Sequence, residues 1–424
     1  MADIIVVGAG LSGSLAAIML SRRGFQVTIV DRYLTYPAEL RAEQIVGSQL
    51  RIFDDLGLSE KLFSGVRLVS RVRNVRLGKQ LTTVLASHYG MPYQDIVHAV
   101  RGQIPGDVRF IVGRVTDIDT GSDPVVHLDN GQTVAAKLVI MATGLNTTLS
   151  KRLGVHHQTI SAQHSTTVAF DILLPKCAAG DTPILVYYGN GLQDRIDYLT
   201  IFPCKGVLRG NLFVHRDPLD PWVRQFRRAP LETLLEALPV LRDDLGEFSV
   251  EHVQCRASDV AVVRDHQRDG VVYIGDAYQT PCPAAGTGIG RLAVDVERLA
   301  FHVTRWFAAN DLSVSSLQSY YNDPVKCRSD RKALKSAQFR RSVSMDPALR
   351  WAVHRQNVKA KRFAKYVLQC VVHAGLDLAA YYGRSTTPGR ARDHAIQQGR
   401  WLLWGRKAER AGAAQETGTP EGAD

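Results

Sequence analysis

The sequence predicts an α/β chain: a Rossmann-like domain with an inserted β-rich domain and a helical C-terminal region. Three observations carry that expectation. The chain opens with strand, glycine turn, helix, strand and acid, in the order of a βαβ unit. Two later apolar strands, at 137–142 and 271–274, end in Thr143-Gly144 and Gly275-Asp276. Between them, residues 166–255 hold a succession of β-type runs.

The opening unit can be read residue by residue. Ile4-Ile5-Val6-Val7 leads into Gly8-Ala9-Gly10-Leu11-Ser12-Gly13. Gly8 allows the sharp turn, Gly10 leaves the backbone open to a pyrophosphate, and Gly13 lets the helix pack close to the strand. The helix N-terminus at Leu11 and Ser12 offers free N–H groups and partial positive charge to phosphate. Asp31 closes the second strand where a carboxylate grips a ribose hydroxyl, with Arg32 next to it. This pattern points to dinucleotide binding.

Further along, residues 38–62 are expected to be mostly helical, from the spacing of Leu40, Ile45, Leu50, Phe53, Leu56 and Leu62, with Gly57 as an interruption. Alternation over 66–84 predicts strands, and 92–100 predicts a helix with Ile96, Val97 and Val100 inside. Strands follow at 108–112, 115–119 and 125–128. Asp129-Asn130-Gly131 is a hairpin turn into a strand beginning at Val134. The insertion carries runs at 167–173, 184–188, 196–202 and 207–214, then a helix over 221–241 and a strand over 260–263. Helix is expected over 289–307 and over most of the basic remainder to about 404, ahead of a small, polar tail. The domains are thus 1–165 with 256–310, 166–255, a helical region 311–406 and a disordered tail 407–424.

The formal charge is +11 over 424 residues. Much of it lies on Arg328, Arg331, Lys332, Lys335, Arg340, Arg341 and the residues after them. That cluster is either a solvated helical face or a contact for an anionic membrane surface or acidic partner. Trp351, Val358, Tyr366, Val367, Val371, Val372 and Leu376 are expected to supply an apolar side that packs on the preceding domain. No helix-turn-helix or zinc-finger pattern occurs, so nucleic acid is not an expected partner. Six cysteines without a CxxC pair fit a reducing cytoplasm and give no metal site. No signal-peptide pattern or bilayer-length apolar run is found. Oligomeric state and membrane association stay open.

Over about residues 1–310 the chain resembles the single-component FAD-dependent aromatic hydroxylases, with the para-hydroxybenzoate hydroxylase fold. Gly8, Gly10, Gly13 and Asp31 match that family's ADP-binding fingerprint. Residues 92–101 and 108–119 are similar to its central helix and strand pair. Gly275-Asp276-Ala277 with Pro283, Gly286, Thr287 and Gly288 matches its second FAD motif. The resemblance implies that Asp276 binds the ribityl hydroxyls. It also implies that the backbone from Gly286 to Ile289 lies near the flavin pyrimidine, where a helix N-terminus stabilises negative charge. Arg41, in Leu40-Arg41-Ala42-Glu43, stands where the family places an arginine reaching the cofactor. Leu11, Ser12, Arg32, Val115, Thr143 and Gly144 complete the implied FAD set. Two departures are plain: Thr143-Gly144 replaces an Asp-Gly pair linked to FAD and NADPH, and Ala277-Tyr278-Gln279-Thr280 replaces Gly-Asp's usual Ala-Ala-His continuation.

The implied reaction has NADPH or NADH reduce the flavin. Oxygen then adds at C4a, and the hydroperoxide hydroxylates or epoxidises an aromatic or polyene small molecule in a dry pocket. Tyr187, Tyr198, Phe202, Tyr278 and Cys282 are the substrate-side candidates, and no catalytic side chain is assigned. Cys282, between Pro281 and Pro283, reads as a packed residue. The alternatives are an FAD-dependent reductase of a prenyl-like substrate, a flavin-dependent halogenase (whose Trp-x-Trp-x-Ile-Pro signature is absent) and a flavin-binding sensor without turnover.

Overall fold

Strand β1 (Ala2–Val7) sits at the centre of a sheet covered on both faces, which is why its apolar run is unbroken. Ile4 and Val6 enter one core and Ile5 and Val7 the opposite one. The computed structural model describes residues 2–76, 79–175 and 182–355, all within the unit Met1–Ala360. Among these residues the chain forms a seven-stranded and a nine-stranded sheet.

In the first sheet, β1 pairs in parallel with β2 (Val27–Asp31) and β9 (Thr133–Met141). Beyond β2 lies β6 (Arg109–Val112), and β15 (Val271–Tyr273) adds to β9. The return strand from Val134 and the buried run at 137–142 are a single element. The first half of β9 pairs antiparallel with β8 (Val125–Leu128), next to β7 (Val115–Asp119), and its second half pairs in parallel with β1. Helices α1 (Leu11–Ser21), α4 (Tyr93–Arg101) and α9 (Gly288–Ala309) supply Leu15, Ile18, Val97, Val296 and Leu299 to the core beneath Ile4 and Val6. Burial of each such aliphatic side chain contributes about 1.5–3 kcal/mol.

The second sheet runs in the order β16 (Gln279–Thr280), β14 (Ser249–Arg264), β10 (His156–Leu173), β13 (Val207–Val214), β12 (Ile196–Cys204), β11 (Ile184–Tyr188), β4 (Leu68–Arg76), β5 (Lys79–Pro92) and β3 (Ala42–Val46). It therefore reaches beyond the 166–255 span read from sequence. One face is closed by α6 (Pro221–Arg228), α7 (Pro230–Ala237) and α8 (Val240–Leu245), whose Phe226, Leu234 and Leu241 meet Val168, Phe170, Leu199 and Leu212. The single helix expected over 221–241 is broken at Pro230 and Pro239, which lack the N–H a continuing helix needs.

The expected helix over 38–62 is corrected more deeply. Residues 42–46 are strand β3, paired antiparallel with β5. Helix is confined to α2 (Arg51–Asp55), α3 (Ser59–Leu62) and one short 3-10 turn. Gly57, with φ of +56°, separates α2 from α3. Apolar spacing alone could not register a distant strand partner. A short α5 (Thr148–Arg152) follows β9, and α10 (Val314–Tyr321) and α11 (Pro324–Met345) follow α9. The apolar residues expected at Val358, Tyr366, Val367, Val371, Val372 and Leu376, and the tail 407–424, lie outside the described residues. No described helix is long and apolar enough to cross a membrane.

Candidate active site

Three backbone corners of the first sheet converge on a cavity of about 940 Å³. The corner after β1 is fixed by sterics. Gly8 has φ of +103°, and a Cβ there would strike the Ala142 carbonyl. A Cβ at Gly13 would strike the carbonyl oxygen of Gly8, so α1 can approach β1 only through glycine. Gly10 differs, because a Cβ there would meet no protein atom within 4 Å. Its missing side chain leaves open the cavity, not a packing contact.

Both α1 and α9 begin at this cavity, and neither has a side-chain cap. Their first N–H groups are thus without a side-chain acceptor, as an anionic ligand requires. Gly10, Leu11 and Ser12 stand at one helix start and Gly286, Gly288 and Ile289 at the other. A dinucleotide with a ring at one end fits this pair of cradles. Pyrophosphate matches the open backbone at Gly10, and a ring carrying negative charge matches the start of α9.

Of the residues expected to hold cofactor, Gly8, Gly10, Leu11, Ser12, Asp31, Arg32, Arg41, Val115, Thr143, Gly144, Asp276, Pro283, Gly286, Gly288 and Ile289 line the cavity. Gly13 and Thr287 do not: Gly13 packs against Gly8, and Thr287 is the N-cap residue of α9. Asp31 has internal work as well, since its carboxylate accepts from Ala9 N at 2.6 Å and Tyr33 N at 2.9 Å. Arg41 is not on a helix but just before β3. Its Nε donates to Glu43 at 2.8 Å and its guanidinium lies 3.9 Å from the Tyr93 ring centroid.

The other wall is the open face of the nine-stranded sheet. Register places Arg256, Thr167, Phe213 and Tyr198 in one row across β14, β10, β13 and β12. Gln254, Ala169, Asn211 and Thr200 form the row beside it. All eight line the cavity. At about 4.8 Å per strand, the rows span roughly 14 Å. The Tyr198 and Phe213 rings stand 4.8 Å apart, and Thr167 Oγ1 is buried without a partner.

Among the substrate-side candidates, Tyr198 and Cys282 line the cavity, and Tyr187, Phe202 and Tyr278 do not. Tyr187 faces the helical side of the sheet and donates to Asp244 at 2.8 Å. Phe202 packs with Ala42, Val69 and Ile184. Tyr278 turns away to stack among His266 and Tyr321. Strand alternation decides Tyr187; Phe202 shares the face of Tyr198 and Thr200 but lies farther along β12, and Tyr278 precedes β16, so none of these placements could be read before the partner strands were known. Tyr198 donates to the Ala284 carbonyl at 2.8 Å, and burial holds its phenol protonated. Burial likewise pushes the Cys282 thiol up, and it sits among Phe213, Val260 and Ala337 with Ser165 Oγ at 3.3 Å from its Sγ, so it behaves as a packed residue.

Sequence reasoning missed three features. His88 on β5 lines the cavity, its Nδ1 is buried without a partner, and burial lowers its pKa below the ordinary 6.5. Arg101 bonds Ala9 O, Tyr33 O and Leu34 O and pairs with Asp31 at 3.3 Å, lashing the glycine corner to the turn after β2. Behind Gly275-Asp276 sits a buried quartet of Arg291, Asp295, Lys326 and Asp330. Its two i,i+4 pairs, Arg291–Asp295 and Lys326–Asp330, are spacings within the sequence, but nothing in the sequence joins one pair to the other.

The comparisons agree with this geometry. The chain is 28% identical over 159 residues to Monooxygenase 1 of Arabidopsis thaliana (35% of this chain, 40% of that protein). It is 25% identical over 228 residues to 6-hydroxynicotinate 3-monooxygenase of Bordetella bronchiseptica (47% and 58%). The chain thus spans about half the length of these curated relatives. In fold it is similar to p-nitrophenol 4-monooxygenase from Pseudomonas putida, with TM-score 0.68 and 17% identity, covering 86% of this chain and 93% of that one. The FAD binding domain family matches residues 1–305, and the chain belongs to that family.

Proposed function

We propose that this protein is an FAD-dependent monooxygenase that hydroxylates a polar aromatic small molecule, with NADPH or NADH as reductant. The observation that carries the reading is the continuity of one cavity, from the glycine corners and two uncapped helix starts to the two-row face of the second sheet. The bound flavin, once reduced, supplies activated oxygen to a substrate held beside it.

The chain's own residues divide the work. Gly10 and the start of α1 receive the pyrophosphate, and Asp276 the ribityl hydroxyls. The start of α9 stabilises negative charge on the ring. The Tyr198–Phe213 pair offers an aromatic surface. Thr167, Thr200, Asn211, Gln254 and Arg256 offer hydrogen bonds, which suit polar substituents and not a prenyl chain. Neutral His88 takes the proton of a phenolic hydroxyl at its unpartnered Nδ1, raising the electron density of the ring. The relatives named for 6-hydroxynicotinate and p-nitrophenol support the aromatic class.

The test is oxygen and NAD(P)H consumption by the yellow protein with either compound as probe. A monooxygenase consumes oxygen and returns product heavier by one oxygen atom. A reductase would act without oxygen and add two hydrogens, and a halogenase would require halide.

A further inference from the structure

Helix α11 lies beyond residues 1–305, which the family match covers, and none of its residues lines the cavity, yet each of its ends is tied to a segment that does. Near its start, Lys326 is fully buried. Its Nζ sits 2.8 Å from Asp295 Oδ1 and 3.0 Å from Asp330 Oδ2, and 4.0 Å from the centroid of the Tyr278 ring. Asp295 uses its other oxygen to accept Gly275 N and Arg291 Nη1, both at 2.9 Å. The free side of Arg291 faces Asp276 Oδ1 at 3.5 Å. Asp330 O accepts Gln279 Nε2 at 3.2 Å. Tyr278 is thereby tied to Lys326 directly, Gly275 and Gln279 through one partner, and Asp276 through two. Burial pushes the Asp295 carboxyl up, but Lys326 and Arg291 more than offset this and keep it ionised.

Near its end, α11 makes a second, separate clamp. Arg340 grips both oxygens of Asp197 on β12, at 2.8 and 2.6 Å, and Ser344 Oγ donates to the same carboxylate at 3.0 Å. That clamp adjoins the substrate wall at Tyr198 and touches no residue of the 275–279 loop.

We infer that Lys326 is a positioning residue for the cofactor: from outside the family's own segment it fixes Asp295, and through Asp295 and Arg291 it sets Gly275 and Asp276 for FAD. The inference rests on the placement of FAD at Asp276 proposed above. It assigns the two ends of α11 different tasks, and a role in stability alone would not separate them. A Lys326 lost by itself leaves paired buried carboxylates short of a cation, so charges are removed in pairs.

The experiment follows release of FAD from diluted holoenzyme by the rise of flavin fluorescence, alongside melting temperature. The Lys326→Met/Asp330→Asn double variant is expected to release FAD at least about tenfold faster, about 1.4 kcal/mol if carried wholly by dissociation. The Asp197→Asn/Arg340→Met variant is expected to stay within about twofold of wild type, even with a comparable loss of melting temperature. Lys326→Arg keeps the charge and hence the fold, but its planar fork cannot reproduce a point charge between two carboxylates. It too should release FAD faster. Wild-type release from both Lys326 variants, or equal acceleration at both ends of α11, overturns the inference. A wild-type protein that holds no FAD at all would instead sink the functional reading on which it rests.

Discussion

The two walls of the cavity are built by different means. The wall proposed for the cofactor is made of backbone: glycine corners and helix starts, each encoded within a dozen consecutive residues. The wall proposed for the substrate is made of side chains brought side by side by strand register, from positions as far apart as Thr167 and Arg256. Local sterics determine the first and long-range pairing the second. A glycine therefore announces its purpose in the sequence, and a tyrosine on a strand does not.

The largest effect expected sharpens this contrast within one turn. Gly13→Val places atoms into the Gly8 carbonyl, so the βαβ unit cannot close and soluble protein should be lost. Gly10→Val meets no protein atom, so the fold should persist with a circular dichroism spectrum like wild type. Its side chain would enter the space for pyrophosphate, and FAD affinity should fall by about 100-fold or more, about 2.7 kcal/mol. Flavin fluorescence titration checks this, and equal loss of fold in both variants would break the distinction between a packing glycine and a ligand glycine.

The substrate wall should respond in kinetics instead of colour. His88→Gln is expected to keep FAD and lose about 100-fold in turnover of a phenolic probe. Burial lowers the pKa of His88 below 6.5, so the base form persists under neutral pH. Wild-type activity should therefore hold as pH falls to 6.5 and drop only through the lowered value. That limb should vanish in the variant. A pH–rate profile shared by the two proteins would remove His88 from the reaction.

The smallest effect is at Thr167, whose hydroxyl is buried without a partner. Thr167→Val keeps the shape and removes the hydroxyl proposed to meet substrate. KM for a polar aromatic should rise severalfold, roughly 0.5–1.5 kcal/mol, with kcat little changed. An unchanged KM would mean that this row of the sheet does not meet the substrate.

The same contrast explains what was legible in the sequence. The corners at Gly8, Thr143-Gly144 and Gly275-Asp276 were readable because each couples an apolar strand to a glycine turn in unbroken sequence. Strand β3 was not readable. Ile45 and its neighbours fit a helical spacing, and only pairing with β5, more than forty residues later, made them a strand. Tyr187 and Tyr198 looked equivalent, yet the alternation of β11 and β12 sends one to the helical core and the other to the cavity. The Lys326 quartet was hidden for a related reason: its members lie on two helices, and a buried lysine looks like any other lysine until its two carboxylates are found.

The most direct measurement is the absorbance of the purified protein, followed by identification of the flavin that heat releases. The account predicts a yellow protein carrying one FAD per chain, and a folded but colourless Gly10→Val. A folded wild-type chain that stays colourless and takes up no added FAD, oxidised or reduced, would contradict it.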